Sequence, residues 1–400
     1  MKFIKHMSLT YGMKVLLKSL FKKLTIGYLE VILPNHQTLT FSGRHANDIR
    51  ADWRFNNWKP IWASLRRGSV GLGESYIKGD WSTSDLKALL TLIAANEKSL
   101  LKAIEGIDLL RFKDRKYHKE NSNTEKQASK NIISHYDLGN TFYSAWLDPS
   151  MTYSSAIFDN ANVSLELAQQ EKYKRLSDML NIQKGEKVLE IGSGWGGFAT
   201  YTAKNLQADI TGISLSKAQT EYARNQFKNE GIAETARVNI QDYRNTTGKY
   251  KHIVSIEMFE AVGEEYWDEY AGKIKDLLAS DGAAALQIIT IEDARFERYR
   301  RTPDFIQRYV FPGGMLPTYK ILRSTFERAG LRITDDQSYG NDYAKTLSIW
   351  RRNFNEAWAD IHNLGFDEEF KRLWEFYLVY CEVGFLQKSI DVVQIKVEHK

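Results

Sequence analysis

Two apolar rhythms divide this chain. Between residues 187 and 289, short β-rich runs (187–191, 208–213, 237–240, 252–256 and 283–289) alternate with stretches of helical spacing at 198–206, 216–230 and 264–279. Such alternation predicts a parallel sheet covered on both faces. Two later helices are expected at 344–361, with Leu347, Trp350, Phe354 and Ile361 on one side, and at 367–388. Alternating Val393, Ile395 and Val397 predict a closing strand. The first part of the chain reads differently. Residues 11–24 put Leu16, Leu17, Leu20 and Leu24 on one helical face and Lys14, Lys18 and Lys22 on a stripe at spacing four. A basic amphipathic helix of this kind suits either an anionic membrane surface or its own domain's core. Short strands follow at 28–33 and 39–41, with Pro34-Asn35 as the turn between them. Trp53, Trp58 and Trp62 recur at nearly helical spacing and are expected in a core, and residues 85–112 are again helical in pattern.

Residues 113–130 interrupt both rhythms. They are highly charged, contain Asn121-Ser122-Asn123-Thr124 and hold no large aliphatic residue. This reads as a linker. It places a domain boundary near 120, with a smaller basic α+β domain at 1–120 and an α/β domain at 121–400. A chain of 400 residues is comfortable for two domains.

Charge and cysteine content narrow the class. Residues 1–130 carry 23 Lys and Arg against 12 Asp and Glu, whereas residues 131–400 carry 32 against 38. The basic front suggests an anionic partner, a membrane surface or nucleic acid, although a solvated basic face accounts for the charge equally well. The single cysteine, Cys381, excludes a disulfide framework and a cysteine-based zinc cage, and its apolar helical neighbours make it a core residue. A reducing, cytoplasmic compartment is the natural reading. No residue set has metal-ligand spacing. No apolar run reaches a membrane span, and the longest, 283–291, is interrupted by Gln287. Lys14, Lys18, Lys22 and Lys23 break up any signal-peptide core.

The clearest motif is Val188-Leu189-Glu190-Ile191-Gly192-Ser193-Gly194-Trp195-Gly196-Gly197, a strand running into a glycine-rich turn and then a helix. Glycines let the backbone turn sharply and let a ligand approach the main chain. The second strand ends in Gly212-Ile213-Ser214-Leu215-Ser216, without the carboxylate a dinucleotide fold wants there. The set resembles motif I of S-adenosylmethionine (SAM) methyltransferases, with Asp242 at the position that binds the adenine amino group.

Further motifs stand in order along the chain: residues 131–143, then Met151-Thr152-Tyr153-Ser154-Ser155, Ser214-Leu215-Ser216-Lys217-Ala218-Gln219, Glu257-Met258-Phe259-Glu260-Ala261-Val262-Gly263, Phe311-Pro312-Gly313-Gly314 and Asp342-Tyr343-Ala344-Lys345-Thr346. The series resembles the cyclopropane-fatty-acyl-phospholipid synthase family over about 130–390, and Gly71-Leu72-Gly73-Glu74-Ser75-Tyr76 extends the likeness into the front domain. The resemblance implies a Rossmann-like class I SAM methyltransferase domain with a mostly parallel seven-stranded sheet. It implies SAM contacts from Tyr153, Ser154, Gly192, Gly194, Gly196, Leu215, Ser216, Gln219 and Asp242. Glu260 and Tyr343 would lie in the active site, with Ser155 and His135 as further candidates, and the segment 295–318 would cover the acyl chain. The partner would be the unsaturated acyl chains of phospholipids at a membrane surface, with the protein peripherally attached; a homo-oligomer is left open.

In that family a bound bicarbonate resembles the base, held by a carboxylate, a tyrosine, a histidine and a cysteine. Here Ser155 stands for the cysteine and Ile289 falls where the histidine is expected, so the bicarbonate site is two ligands short. Serine still offers a hydroxyl and a backbone N–H, but isoleucine offers no polar side chain. Cyclopropane formation is the family outcome. The alternative is methylation without ring closure, giving a branched or methylene chain. Small-amine N-methylation and a non-catalytic SAM- or lipid-binding protein are the remaining readings, and nucleic-acid methylation lacks its Pro-Pro-Tyr-type motif.

Overall fold

The computed structural model describes residues 2–104, 138–160 and 162–400. The expected linker at 113–130, the boundary near 120 and His135 lie outside the described residues.

The larger sheet has seven strands: β5 (Lys187–Ile191), β6 (Asp209–Ser214), β7 (Ala236–Ile240), β8 (Tyr250–Ile256), β9 (Leu278–Ile291), β10 (Leu331–Ser338) and β11 (Ile390–His399). Their order is β10-β11-β9-β8-β5-β6-β7. From β9 to β7 the strands are parallel, and β11 pairs antiparallel with both β9 and β10. Five of these strands were expected from their apolar runs and β11 from its alternation. β10 was not, because Asp335, Asp336 and Gln337 on this sheet edge face solvent and leave no apolar rhythm. The order reverses at β5, whose neighbours are β6 and β8. In open α/β sheets the crevice beyond the carboxyl ends of such strands is where ligands sit.

The front part is α+β. A four-stranded sheet of order β2-β1-β3-β4 is built from β1 (Ile26–Ile32), β2 (Thr38–Ser42), β3 (His45–Phe55) and β4 (Trp81–Ser82). The first helix, Lys2–Phe21, buries Met13, Leu17 and Phe21 together with Leu24 just beyond it, and leaves Leu16 and Leu20 half-buried. Its apolar stripe is therefore used inside its own domain. The tryptophan stripe is corrected too: Trp53 lies on β3 and Trp58 caps the next helix, both buried, whereas Trp62 is 46% exposed.

The front sheet is fastened to the rest. One apolar core runs from Leu17 and Trp81 through Phe305 to Phe376. Lys87 pairs with buried Glu382 of the helix Glu368–Leu386 at 2.6 Å, and Arg295 pairs with Glu97 at 2.6 Å. Gly73 allows this close approach, because a Cβ there would come within 2.4 Å of the Phe305 ring.

Candidate active site

A single cavity of about 990 Å³ opens at the carboxyl ends of β5, β6, β8 and β9 and continues into the front domain. The glycine loop makes its first wall. Gly192 and Gly194 have φ of +84° and +51°, conformations costly for other residues. A Cβ on Gly192 would meet Met258 at 2.3 Å, and one on Gly197 would meet the Tyr173 hydroxyl at 2.4 Å. A Cβ on Gly194 would meet nothing within 4 Å. The Trp195 indole donates to Asn140 Oδ1 at 2.8 Å, which ties the loop to the helix Asn140–Ser144. Glu190 lines the same wall, and its buried Oε2 accepts no hydrogen bond. Burial pushes this carboxyl up to about 8. A glycine cradle beside an unfilled buried acceptor fits the amino-acid end of SAM, which brings N–H donors.

Tyr153, Ser154, Gly192, Gly194, Leu215 and Gln219 all line the cavity. Three other expected cofactor contacts stand elsewhere. Gly196 faces Phe227 and Ala223, and Gly197 forms the wall instead. The Ser216 hydroxyl accepts from Gln219 N–H at 3.3 Å and caps the helix Lys217–Asn229. The Asp242 carboxylate accepts from the Arg244 guanidinium at 2.9 and 2.7 Å and from Arg244 N–H at 2.9 Å, so its charge is already taken, and its neighbours Gln241 and Tyr243 reach the cavity.

The opposite wall is a carboxylate cluster centred on a residue the sequence reading passed over. Glu257 follows β8 directly and has φ of +53°, a strained conformation for a non-glycine residue. Its Oε1 accepts from Ser155 N–H at 2.9 Å and from Gln287 Nε2 at 2.8 Å, and its Oε2 accepts from the Tyr343 hydroxyl at 2.7 Å. Burial raises its pKa, while these three donors pull it back. Glu260 lies one turn on, with Oε1 accepting from Ile289 N–H and Oε2 without a partner. Burial and then the Glu257 charge push Glu260 up to about 8. Of the two carboxyls, Glu257 has the three donors that favour its charged form, whereas Glu260 has one and is pushed up.

Ile289 thus serves through its backbone, and the polar side chain missing at that position comes from Gln287. Residues two apart on a strand share a face. A glutamine inside the apolar run 283–289 was the available signal, and so was the second carboxylate at the switch point. Ser155 also acts through its backbone, since its hydroxyl donates to Ala156 O at 3.0 Å. The helix Leu165–Leu180 fixes this segment: Gln169 donates to the Ser154 carbonyl at 3.0 Å and the buried Lys172 ammonium to the Ser154 hydroxyl at 2.6 Å. Burial brings Lys172 down to about 7. Between the walls, Tyr153, Phe311, Tyr343, Tyr377 and Phe385 supply aromatic surface, and part of the segment 295–318 closes one side. Among the described residues no cluster of His, Cys, Asp and Glu is placed to hold a metal ion, and no helix is long and apolar enough to cross a membrane.

Sheet order, glycine cradle and cavity define a class I SAM-dependent methyltransferase. Comparison with known proteins gives the family. Residues 123–395 match the model of mycolic acid cyclopropane synthetase, and the chain belongs to that family. It is 38% identical over 338 residues to the tuberculostearic acid methyltransferase UfaA1 of Mycobacterium tuberculosis, covering 82% of this chain and 78% of the relative. To the cyclopropane-fatty-acyl-phospholipid synthase of Escherichia coli it is 33% identical over 347 residues, covering 86% and 87%. Among solved structures it is similar to the mycolic acid cyclopropane synthase CmaA1 in complex with SAH and CTAB, with a TM-score of 0.64 and 28% identity over 68% of this chain and 98% of that one. The protein is therefore a SAM-dependent methyltransferase of the lipid-modifying cyclopropane synthase family.

Proposed function

We propose that this enzyme methylates the double bond of an unsaturated acyl chain of a membrane phospholipid, and that Glu257 is the proton acceptor. The product is a methyl-branched or methylene chain that keeps its unsaturation. The carrying observation is the seat of Glu257 on Ser155 N–H, Gln287 and Tyr343. A bicarbonate would need donors of this kind, and here they are spent on a tethered carboxylate. A second anion at that place would meet Glu257 at close range with one donor set for two charges, so the residues do not fit bicarbonate.

SAM, when bound, supplies an electrophilic methyl group. The cavity aligns the alkene with it and excludes water. The alkene π pair forms the new C–C bond as the S–C bond breaks, and the adjacent chain carbon becomes cationic. Tyr153, Phe311 and Tyr343 present aromatic surface to that cation. Glu257 then accepts a proton, and the C–H pair restores the octet. Three hydrogen bonds make Glu257 a weak acceptor. Before that proton is lost, a hydride moves from the methyl-bearing carbon to the cationic one, which leaves the charge on the more substituted carbon, and loss of a proton from the new methyl or the next chain carbon to Glu257 gives the methylene or methyl-branched alkene. Likeness to the tuberculostearic acid methyltransferase UfaA1, whose name gives methyl transfer and no ring, supports this outcome. Ring closure is the second reading, favoured by likeness to the Escherichia coli synthase. Small-amine methylation has only a fold likeness at 17% identity behind it, and the long apolar cavity speaks for a chain.

The test is NMR and mass spectrometry of dioleoyl-phosphatidylglycerol vesicles incubated with enzyme and methyl-labelled SAM. A labelled chain that retains a double bond is expected. Labelled cyclopropane would overturn the open-chain outcome, and no label in lipid would overturn the substrate class. Work on such a lipid places the protein peripherally at the cytoplasmic face of a membrane, and co-sedimentation with anionic vesicles checks this.

A further inference from the structure

The cavity is lined by apolar residues of both parts of the molecule, here called its two arms, and by a set of polar residues, here called its belt. The reactive arm lies among Ile289, Tyr343, Leu347 and Phe385. The other arm lies inside the front domain, among Phe21, Trp53, Leu65, Leu90, Ile93 and Ala94. Methyl transfer does not need this second arm, because the glycine cradle and the carboxylates belong to the methyltransferase part. Asp304, Tyr299, Tyr380 and Thr302 of the methyltransferase part and Arg67 and Ser69 of the front domain also line the cavity; Tyr380 hydrogen-bonds Ser69, and Arg67 pairs with Glu74. These residues lie on or beside the elements that join the two parts: the helices Lys59–Ile77, Asp293–Tyr299, Phe305–Tyr309 and Glu368–Leu386. Asp304 is enclosed, accepts from Gln307 N–H at 2.9 Å and lies 3.5 Å from the Tyr380 hydroxyl. Arg66, exposed, and Lys98, exposed, also line the cavity. The wall bends here, where Gly68 breaks its helix at φ 55° and ψ −130°.

We propose that the front-domain arm holds the second acyl chain of a two-chain phospholipid whose first chain lies in the reactive arm, with the glycerol esters and phosphate at the belt. The inference rests on the phospholipid reading above. The rival occupant is the far end of the reacting chain itself. A single chain threaded through both arms would lay methylene groups along the Asp304 carboxylate and the Arg67 guanidinium and strip water from these charges, which is costly. Ester and phosphate oxygens at the same place give donors there a partner, and each arm then receives only hydrocarbon.

The experiment compares dioleoyl-phosphatidylglycerol with 1-oleoyl-lysophosphatidylglycerol in the same detergent micelles, using wild type, Ala94→Phe and Ile93→Trp. Filling the front arm is expected to lower the diacyl-to-monoacyl ratio of kcat/KM by about tenfold or more. Equal loss on both lipids would overturn the proposal and assign the arm to the reacting chain. An unchanged ratio in both variants, with thermal midpoint and SAM affinity preserved, would overturn it outright. A wild type that labels neither lipid would instead sink the phospholipid reading, which the vesicle experiment tests by itself.

Discussion

The two walls of the cavity solve their problems differently. The cofactor wall is made by backbone: three glycines within six residues, Gly192, Gly194 and Gly197, shape it, and one strand and one turn deliver them. The base wall is made by groups from four distant places, the side chains of Glu257, Gln287 and Tyr343 and the backbone N–H of Ser155, which meet on one carboxylate. A backbone cradle fails when a side chain is added. A convergent cluster fails when one is removed, and by a graded amount.

The largest effect is expected on the cofactor wall. Gly194→Asp projects a charged side chain into the open cavity from a backbone at φ +51°, and SAM binding measured by calorimetry should vanish. Unchanged affinity would break the assignment of this wall. Next comes the base: Glu257→Gln should retain SAM affinity and cut turnover by about 10²- to 10⁴-fold, in the range of a lost general base. A variant at wild-type rate would transfer the role to Glu260. Gln287→Ala removes one of three donors to the carboxylate and should cost about tenfold in kcat, with the product ratio changing as well. A change in KM alone would make Gln287 a substrate contact.

The smallest effect separates the two carboxyls of the base wall. Burial pushes folded Glu260 up to about 8, whereas an unfolded glutamate releases its proton near the ordinary 4.5. Between these values the folded state binds more protons, so rising pH costs stability. Glu260→Gln should remove that loss, gaining about 1–3 kcal/mol at pH 8 relative to pH 5 in denaturant melts. Equal pH slopes in the two proteins would show Glu260 ionised in the native state.

The cofactor wall was legible because its information is local. A strand, a glycine turn and a helix within ten residues carry their own geometry, and even there the structure turns Gly196 toward Phe227 and lines the cavity with Gly197. The base wall was half legible. Tyr343 and Glu260 stand in recognisable motifs, but Glu257 sits in the same motif and was passed over, because linear order does not say which of two carboxylates turns inward. A positive φ at Glu257 decides it. The register of β9 against β8, pairing Gln287 with Ile256, decides that Gln287 supplies the polar group sought at Ile289.

By itself the sequence determined the alternation of strands and helices, the glycine cradle and the family likeness, since each depends on residues near one another in the chain. The tertiary structure alone decided that the first helix spends its apolar stripe inside its own domain and that Glu257 collects three donors. It also decided that one cavity joins the methyltransferase crevice to the front-domain core. These outcomes depend on which distant groups compete for a donor or an apolar surface, and that competition is settled only when the elements pack together.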